Sequence, residues 1–309
     1  MTAEAIRTTP RDPYAGFREG LGISGLPIPI IATTGCEVLD ADPEGVLVRL
    51  PVAQALLGQD GRLLPGALAI VADVACGWAA HAAQQHAGFA STAQLRLEFV
   101  RPLPALGAAV VVRATCDSAT ADAGLARGEI VDDNDDLLAV CSVRTIPLAA
   151  HRGAAGAADA VASVRPIDLA TVELADVIGL AASRSADGEA TLELRPGLAV
   201  ANSAGAVHGG ALALIGYLAA SEAQQSVLGD DEQLQALDLV INYYRAVPAD
   251  GSRLTCTAAV AHRGRRFLVA EGHLVTADGR VAARVSCGAQ VRASGTVTAP
   301  AAQPSTERR

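Results

Sequence analysis

Apolar residues along this chain occur either in short alternating segments or in long unbroken runs. The alternating segments predict β-strands, and the long run from Gly66 to about Gln84 predicts a helix that is apolar on nearly every side. Such a helix has to be wrapped by protein over most of its surface. One antiparallel sheet curled around one buried helix would satisfy that requirement.

The strands predicted in the first half surround this helix in the sequence. A hairpin before it pairs Gly35–Leu39 with Val46–Leu50 around an Asp-Pro-Glu-Gly turn. Three strand segments after it lie at Ala93–Val100, Ala109–Cys116 and Gly128–Ile146, the last broken by an acidic turn. The first half is therefore predicted to be a hairpin, a long helix and a group of antiparallel strands.

The second half repeats the first at a constant offset of 144 residues. The segment Gly66-Ala67-Leu68-Ala69 corresponds to Gly210-Ala211-Leu212-Ala213, and Arg101 corresponds to Arg245, without a gap. This offset indicates a duplicated domain and not a solenoid, whose repeats are shorter. We predict a lead-in at 1–30, domains at 31–148 and 167–293, an Ala/Gly-rich linker at 149–166 and a disordered tail at 294–309.

Composition and charge narrow the possible functions. Aromatic residues make up only 3% of the 309 residues, so the core must be built from Ala, Val and Leu, and the net charge of -9 argues against nucleic acid as the main partner. The six cysteines have no metal-ligand spacing, and several lie in apolar runs, as reduced thiols do. With no signal segment and no apolar run of membrane-spanning length, we expect a cytoplasmic protein without metal or membrane contact.

The most distinctive stretch is Asn202–Tyr217, in which His208, Gly209 and Gly210 precede a long apolar run. Glycines at a helix start leave backbone N–H groups open, and such groups bind anionic oxygens. The alternative is that the two glycines only allow tight packing at the helix start.

Each half of the chain resembles a known fold family in its order of elements, and the second half also does so in one motif. Each half resembles a hotdog domain, and Asn-x5-His-Gly-Gly before a long helix resembles the PaaI-like acyl-CoA thioesterases. Glu98–Pro102 and His262–Arg266 fit that resemblance. It implies an α+β fold of two tandem hotdog domains, each an antiparallel sheet around a long central helix, paired within one chain. It also implies an acyl-CoA substrate, no separate cofactor and active sites between paired units. A homodimer of double-hotdog chains is expected, with a monomer as the alternative because the pair is already made within one chain.

The resemblance places a carboxylate eight residues after Gly209, where this chain has Tyr217. The corresponding residue of the first copy is Asp73, the only charged residue between Arg62 and His81. A buried carboxylate needs a partner, which could be a catalytic site or simply nearby backbone or Arg. Eight helical residues rise roughly 12 Å. Asp73 is therefore predicted to face Gly209 on a neighbouring antiparallel helix, as general base or nucleophile, with the Gly209 N–H as oxyanion donor.

Further side chains are assigned to the same site by the resemblance. Asn202 would place the water or the thioester, although an Asx turn would explain it equally well. Ser91 would assist the carboxylate of Asp73, with Thr92 as its near competitor. His208 either shapes the loop or, with Gly210, binds substrate.

A basic cluster in the second half is a candidate binding site for the coenzyme A part of the substrate. Its members Arg263, Arg265 and Arg266 have no counterpart in the first copy. Guanidinium groups suit the phosphates of coenzyme A. The alternative is a solvated hairpin turn.

The duplication also predicts a second, reciprocal site, which combines the counterpart of Asp73 in the second copy with the counterpart of Gly209 in the first. This site lacks the residues that the chemistry needs. Pro65 stands where Gly209 would be and has no N–H to donate. The other substitutions are Gly58 for Asn202, Tyr217 for Asp73 and Gln235 for Ser91. The sequence therefore predicts an acyl-CoA thioesterase with one working site. A non-catalytic acyl-CoA-binding or regulatory hotdog protein is the alternative, and a hotdog hydratase or dehydratase is less favoured because no Asp closely follows His208.

Overall fold

The computed structural model describes residues 28–41, 44–84, 90–147, 164 and 167–293. Most of the predicted lead-in, nearly all of the predicted linker and the predicted tail at 294–309 lie outside the described residues. The elements of both predicted repeats can be compared with the sequence pattern.

The first repeat contains the predicted hairpin, helix and strands. A short helix, α1 (Pro29–Thr34), leads into the hairpin of β1 (Glu37–Ala41) and β2 (Val46–Pro51). A 3₁₀ turn at Pro65–Ala67 opens the central helix α2 (Leu68–Gln84). The remaining strands are β3 (Ala90–Phe99), β4 (Ala109–Ala119), β5 (Gly124–Asp132) and β6 (Leu137–Pro147). The acidic turn divides the segment predicted at 128–146 into β5 and β6.

The second repeat follows the same order. Its helices are the short α3 (Leu174–Ile178) and the central α4 (Gly209–Gln225). Its strands are β7 (Leu180–Ala186), β8 (Glu189–Leu194), β9 (Glu232–Tyr243), β10 (Leu254–Arg263), β11 (Phe267–Thr276) and β12 (Val281–Ala293). Each strand begins within two residues of its first-half counterpart plus 144. Helix α4 begins at Gly209, whose counterpart Pro65 begins the 3₁₀ turn.

The twelve strands of the described residues form one antiparallel sheet with an internal symmetry. Their order is β1-β2-β4-β5-β6-β3-β9-β12-β11-β10-β8-β7, so β3 and β9 join the repeats at the centre. Arg96 pairs with Val240 in the middle of that junction, and these two residues are themselves related by the offset of 144. The sheet therefore has an approximate two-fold axis there. The predicted α+β architecture of two tandem hotdog units is confirmed.

The central helix of the first repeat is buried as its composition requires. Leu68, Ala69 and Ile70, which are spaced about 100° apart around the helix, are all at most 2% exposed. The window Pro65–Ala83 is apolar and long enough to cross a membrane, contrary to the expectation from sequence. However, 83% of that window is buried within the protein, so the helix serves as a core element of the fold.

The two central helices cross in antiparallel directions with almost no space between them. A Cβ atom on Gly210 would lie 2.5 Å from the Ala69 carbonyl oxygen and from the Ile70 Cα. On the other side of the crossing, a Cβ on Gly66 would lie 2.8 Å from the Cβ of Tyr217. Glycine at 210 therefore lets the start of α4 touch the backbone of α2.

Replacing Gly210 by Ala is expected to destabilise the protein by about 1–3 kcal/mol, because backbone atoms cannot move aside as a flexible side chain can. Gly77→Ala is the matched control. Gly77 also lies within a central helix, but apart from its chain neighbours and the backbone of its own helix no described atom lies within 4 Å of its would-be Cβ, so this change should stabilise the protein by about 0.5–1 kcal/mol. Urea unfolding of both variants checks the contrast, and an unaffected Gly210→Ala would contradict the packing described above.

Candidate active site

The start of α4 meets the middle of α2 at a carboxylate. Asp73 is 6% exposed, and its Oδ2 atom accepts a hydrogen bond of 2.9 Å from the Gly210 N–H. A Cβ on Gly209 would lie 2.6 Å from the same oxygen, so the carboxylate lies directly against the Gly209 backbone. The two repeats thus bring together Asp73 and the glycines, as the sequence predicts. The carboxylate therefore lies at the N-terminus of α4, where the helix dipole places partial positive charge.

The Gly209 N–H is the open backbone donor of this arrangement. It belongs to the first residue of α4, and none of the hydrogen bonds among the described residues uses it. Gly209 is also half-buried, whereas Gly210 is fully buried. An N–H group with these properties can polarise a carbonyl oxygen that approaches the helix start.

His208 has a structural position at the same helix start. Its Nδ1 atom accepts a hydrogen bond of 3.1 Å from the Gly210 N–H and so caps α4. Burial lowers the pKa of His208, and the Asp73 carboxylate opposes this more weakly. The imidazole is therefore neutral, and its 3.4 Å approach to Asp73 Oδ2 is a meeting of two acceptors that share one donor, not an ion pair.

The second oxygen of the carboxylate is held by Thr92 and not by Ser91. Thr92 Oγ1 donates a hydrogen bond of 2.6 Å to Asp73 Oδ1, whereas Ser91 is exposed and pairs in the sheet with Ile146. A β-bulge between Thr92 and Gln94 is the physical reason. The extra residue shifts the alternation of the strand and turns Thr92 towards α2. The expectation that Ser91 supports the carboxylate is therefore wrong, and its named competitor takes the position.

Substitution of Thr92 tests this correction. Thr92→Val keeps the shape of the side chain and removes the donor to Asp73, so kcat should fall about tenfold. Thr92→Ser should restore most of the loss, and Ser91→Ala should leave kcat within about twofold of wild type. Steady-state kinetics on the three variants check the order, and a larger loss in Ser91→Ala than in Thr92→Val would contradict it.

Asn202 uses its side-chain oxygen within its own loop. Oδ1 accepts hydrogen bonds from the N–H groups of Ala204 at 2.9 Å and Ala206 at 3.1 Å, which is the Asx turn that the sequence left open. Only the side-chain NH2 of Asn202 could therefore act on a substrate. A catalytic role for this residue stays a prediction.

A residue that the sequence analysis did not select completes the site. Tyr243, at the end of β9, donates its hydroxyl to the Gly209 carbonyl oxygen at 2.7 Å. Burial raises the pKa of Tyr243 well above its ordinary value, and the nearby Asp73 carboxylate raises it further. The phenol is therefore protonated and acts as a donor. Its counterpart at the same offset is Phe99, so a comparison of the two repeats position by position would have found it.

The three arginines of the second half are not brought to this site. Arg263 pairs with Glu232 at the beginning of β9, while Tyr243 lies at its end, and eleven residues of strand span roughly 35 Å. Arg265 and Arg266 lie in the exposed turn beyond β10. The expectation that the cluster contacts a substrate held between Asp73 and Gly209 is not met, because the arginines occupy the opposite end of the sheet.

The reciprocal position is filled by Tyr217. Its side chain packs over Gly66, as Asp73 packs over Gly209, and burial raises the pKa of its hydroxyl. Pro65, which opens the 3₁₀ turn there, has no N–H. The second repeat has the same β-bulge as the first. The counterpart of Thr92 at the offset of 144 is Ala236, which has no hydroxyl to donate.

Comparison with known families agrees with this fold. Residues 204–283 match the thioesterase superfamily, and residues 45–142 match the acyl-CoA thioesterase C-terminal domain. No curated protein sequence matches the chain. With a thioesterase family matched in each repeat of a hotdog fold, the chain is a thioester hydrolase.

Three solved structures resemble nearly the whole double unit. A protein of Novosphingobium aromaticivorans, described as a candidate thioesterase, is 17% identical, with 82% of this chain and 97% of that chain covered and a TM-score of 0.56. The acyl-CoA thioesterase II TesB2 of Mycobacterium marinum is 15% identical, with 87% and 99% covered and a TM-score of 0.55. The tesB protein of Mycobacterium avium subspecies paratuberculosis is 12% identical, with 85% and 98% covered and a TM-score of 0.56.

At these identities the structures show the fold and no more. They match this chain over both of its repeats. The expected PaaI-like assignment is not confirmed, and the structures that match both repeats include two TesB proteins.

Proposed function

We propose that the chain hydrolyses acyl-CoA thioesters at one composite site made by both repeats. The observation that carries this proposal is the buried carboxylate of Asp73 on α2, which lies against Gly209 at the open N-terminus of α4. Thioester hydrolysis needs a carboxylate that activates water or attacks directly, and a donor for the developing oxyanion. Asp73 supplies the first and the Gly209 N–H the second.

The proposed reaction assigns each neighbouring group a role. A thioester carbonyl oxygen that accepts from the Gly209 N–H leaves its carbon beside the Asp73 carboxylate. Thr92 and the Gly210 N–H hold the two carboxylate oxygens, so the side chain cannot rotate away from the substrate. As a general base, Asp73 takes a proton from a water whose oxygen attacks the thioester carbon, and that proton passes to the departing thiolate of coenzyme A. As the nucleophile, Asp73 instead forms an acyl-aspartyl anhydride, the thiolate leaves and takes a proton from solvent, and water then hydrolyses the anhydride to the free carboxylic acid.

We propose further that the reciprocal site is inactive. Tyr217 in the place of Asp73 offers no carboxylate, and Pro65 in the place of Gly209 offers no oxyanion donor. The repeats at 31–148 and 167–293 would then be complementary halves of one enzyme. We also retain as proposals that the chain acts in the cytoplasm as a homodimer, without nucleic acid, membrane, metal or separate cofactor.

Release of free thiol from a panel of acyl-CoA thioesters of increasing chain length tests the function. Saturable turnover with at least one of them supports it. Tight binding of acyl-CoA without turnover would show instead that the chain is a non-catalytic acyl-CoA-binding protein.

A further inference from the structure

One peptide group in the site is held at both of its ends. The carbonyl of Gly209 accepts from the Tyr243 hydroxyl at 2.7 Å, and the N–H of Gly210 donates to Asp73 Oδ2 at 2.9 Å. These two atoms belong to the same planar peptide. A helix of the first repeat and a strand of the second therefore both constrain its orientation, in addition to the His208 cap on the same N–H.

Such a double hold matters because the backbone at this point is intrinsically free. Two consecutive glycines can adopt many more conformations than other residues. The Gly209 N–H lies one Cα atom away from the held peptide, so the tilt of that peptide sets the angle between the N–H and the Asp73 carboxylate. Small errors in such angles are costly in catalysis.

We propose that Tyr243 is a positioning residue, whose hydroxyl fixes the Gly209–Gly210 peptide and thereby aligns the Gly209 N–H with Asp73. The proposal rests on the thioesterase function proposed above. It assigns Tyr243 no contact with substrate and no proton transfer.

The first repeat has no hydroxyl at the position that corresponds to Tyr243, and this difference supports the positioning role. The counterpart of Tyr243 is Phe99, which keeps the aromatic ring and loses the hydroxyl. The hydroxyl is therefore absent from the reciprocal site, where Tyr217 also replaces the carboxylate and Pro65 the oxyanion donor. The ring is thus used in both repeats, whereas the hydroxyl is present only beside the proposed working site.

Tyr243→Phe is the natural test, since it installs the residue of the other repeat without a cavity. We expect kcat to fall about tenfold, with KM within about twofold and little change in Tm. Tyr244→Phe is the matched control, because that neighbouring ring is 54% exposed, and it should behave as wild type. Tyr217→Phe, which removes a buried hydroxyl at the reciprocal position, should do the same.

A second measurement separates positioning from simple packing without any substrate. The amide resonance of Gly210 in protein labelled with 15N-glycine reports its hydrogen bond to Asp73, and it should shift in Tyr243→Phe and not in Tyr244→Phe. An unchanged kcat, an unchanged Gly210 resonance, or a loss confined to KM or Tm would each overturn the proposal. If the wild type hydrolyses no acyl-CoA, the proposed function fails, and the Gly210 resonance alone decides the role of Tyr243.

Discussion

Asp73→Asn is expected to lower kcat for acyl-CoA hydrolysis by about 10²–10⁴-fold, the range that removal of a general base produces. The amide has nearly the shape of the carboxylate and can still accept from the Gly210 N–H, so the fold should survive. It can neither take a proton from water nor attack a thioester. Steady-state kinetics together with thermal unfolding check both halves of this expectation.

Tyr217→Phe is the matched control for that substitution, because Tyr217 occupies the corresponding position of the other repeat. It should leave kcat within about twofold of wild type. Full activity in Asp73→Asn would remove the carboxylate from the mechanism. A loss in Tyr217→Phe as large as that in Asp73→Asn would show that the reciprocal site also works.

The second large effect is expected when the Gly209 N–H is removed. Gly209→Pro gives α4 the residue that opens the corresponding turn of the first repeat, and His208 already has dihedral angles of φ −61° and ψ 142° that suit a following proline. Loss of one oxyanion donor costs about 10²–10³-fold in kcat. Both Pro and Ala at 209 add a Cβ that presses on Asp73, whereas only Pro removes the N–H.

Gly209→Ala is therefore the reference for Gly209→Pro. We expect the Pro variant to have a kcat about 10²–10³-fold below that of the Ala variant, with similar unfolding curves. Equal rates in the two variants would mean that the Gly209 N–H does not stabilise the transition state. In that case another donor must be sought at the helix start.

The fold could be predicted closely because the sequence pattern of each element occurs twice, once in each repeat. The offset of 144 carried the hairpin, the central helix and the strands of one half onto the other, and the pairing of Arg96 with Val240 reflects the same offset. Asp73 could be predicted because a lone charge in an apolar helix needs a partner. The offset also identified Tyr217 as its counterpart.

The details that could not be predicted depend on local geometry and distance. A β-bulge near Thr92 reverses which of two adjacent side chains reaches the carboxylate, and alternation alone cannot reveal it. Arg263 looked suited to a phosphate, but it pairs with Glu232 at the start of β9. The length of that strand separates it from the site at the other end. Tyr243 was missed because its partner is a backbone carbonyl that no motif marks, and its one sequence signal was the difference from Phe99 at the offset of 144.

The central claim is that one thioester is held between the two repeats, and a crystal structure of Asp73→Asn with an intact acyl-CoA tests it most directly. We expect the thioester carbonyl oxygen to lie about 2.7–3.1 Å from the Gly209 nitrogen, with the carbonyl carbon beside residue 73. A thioester bound instead beside Tyr217 and Pro65, or away from both helix starts, would contradict it.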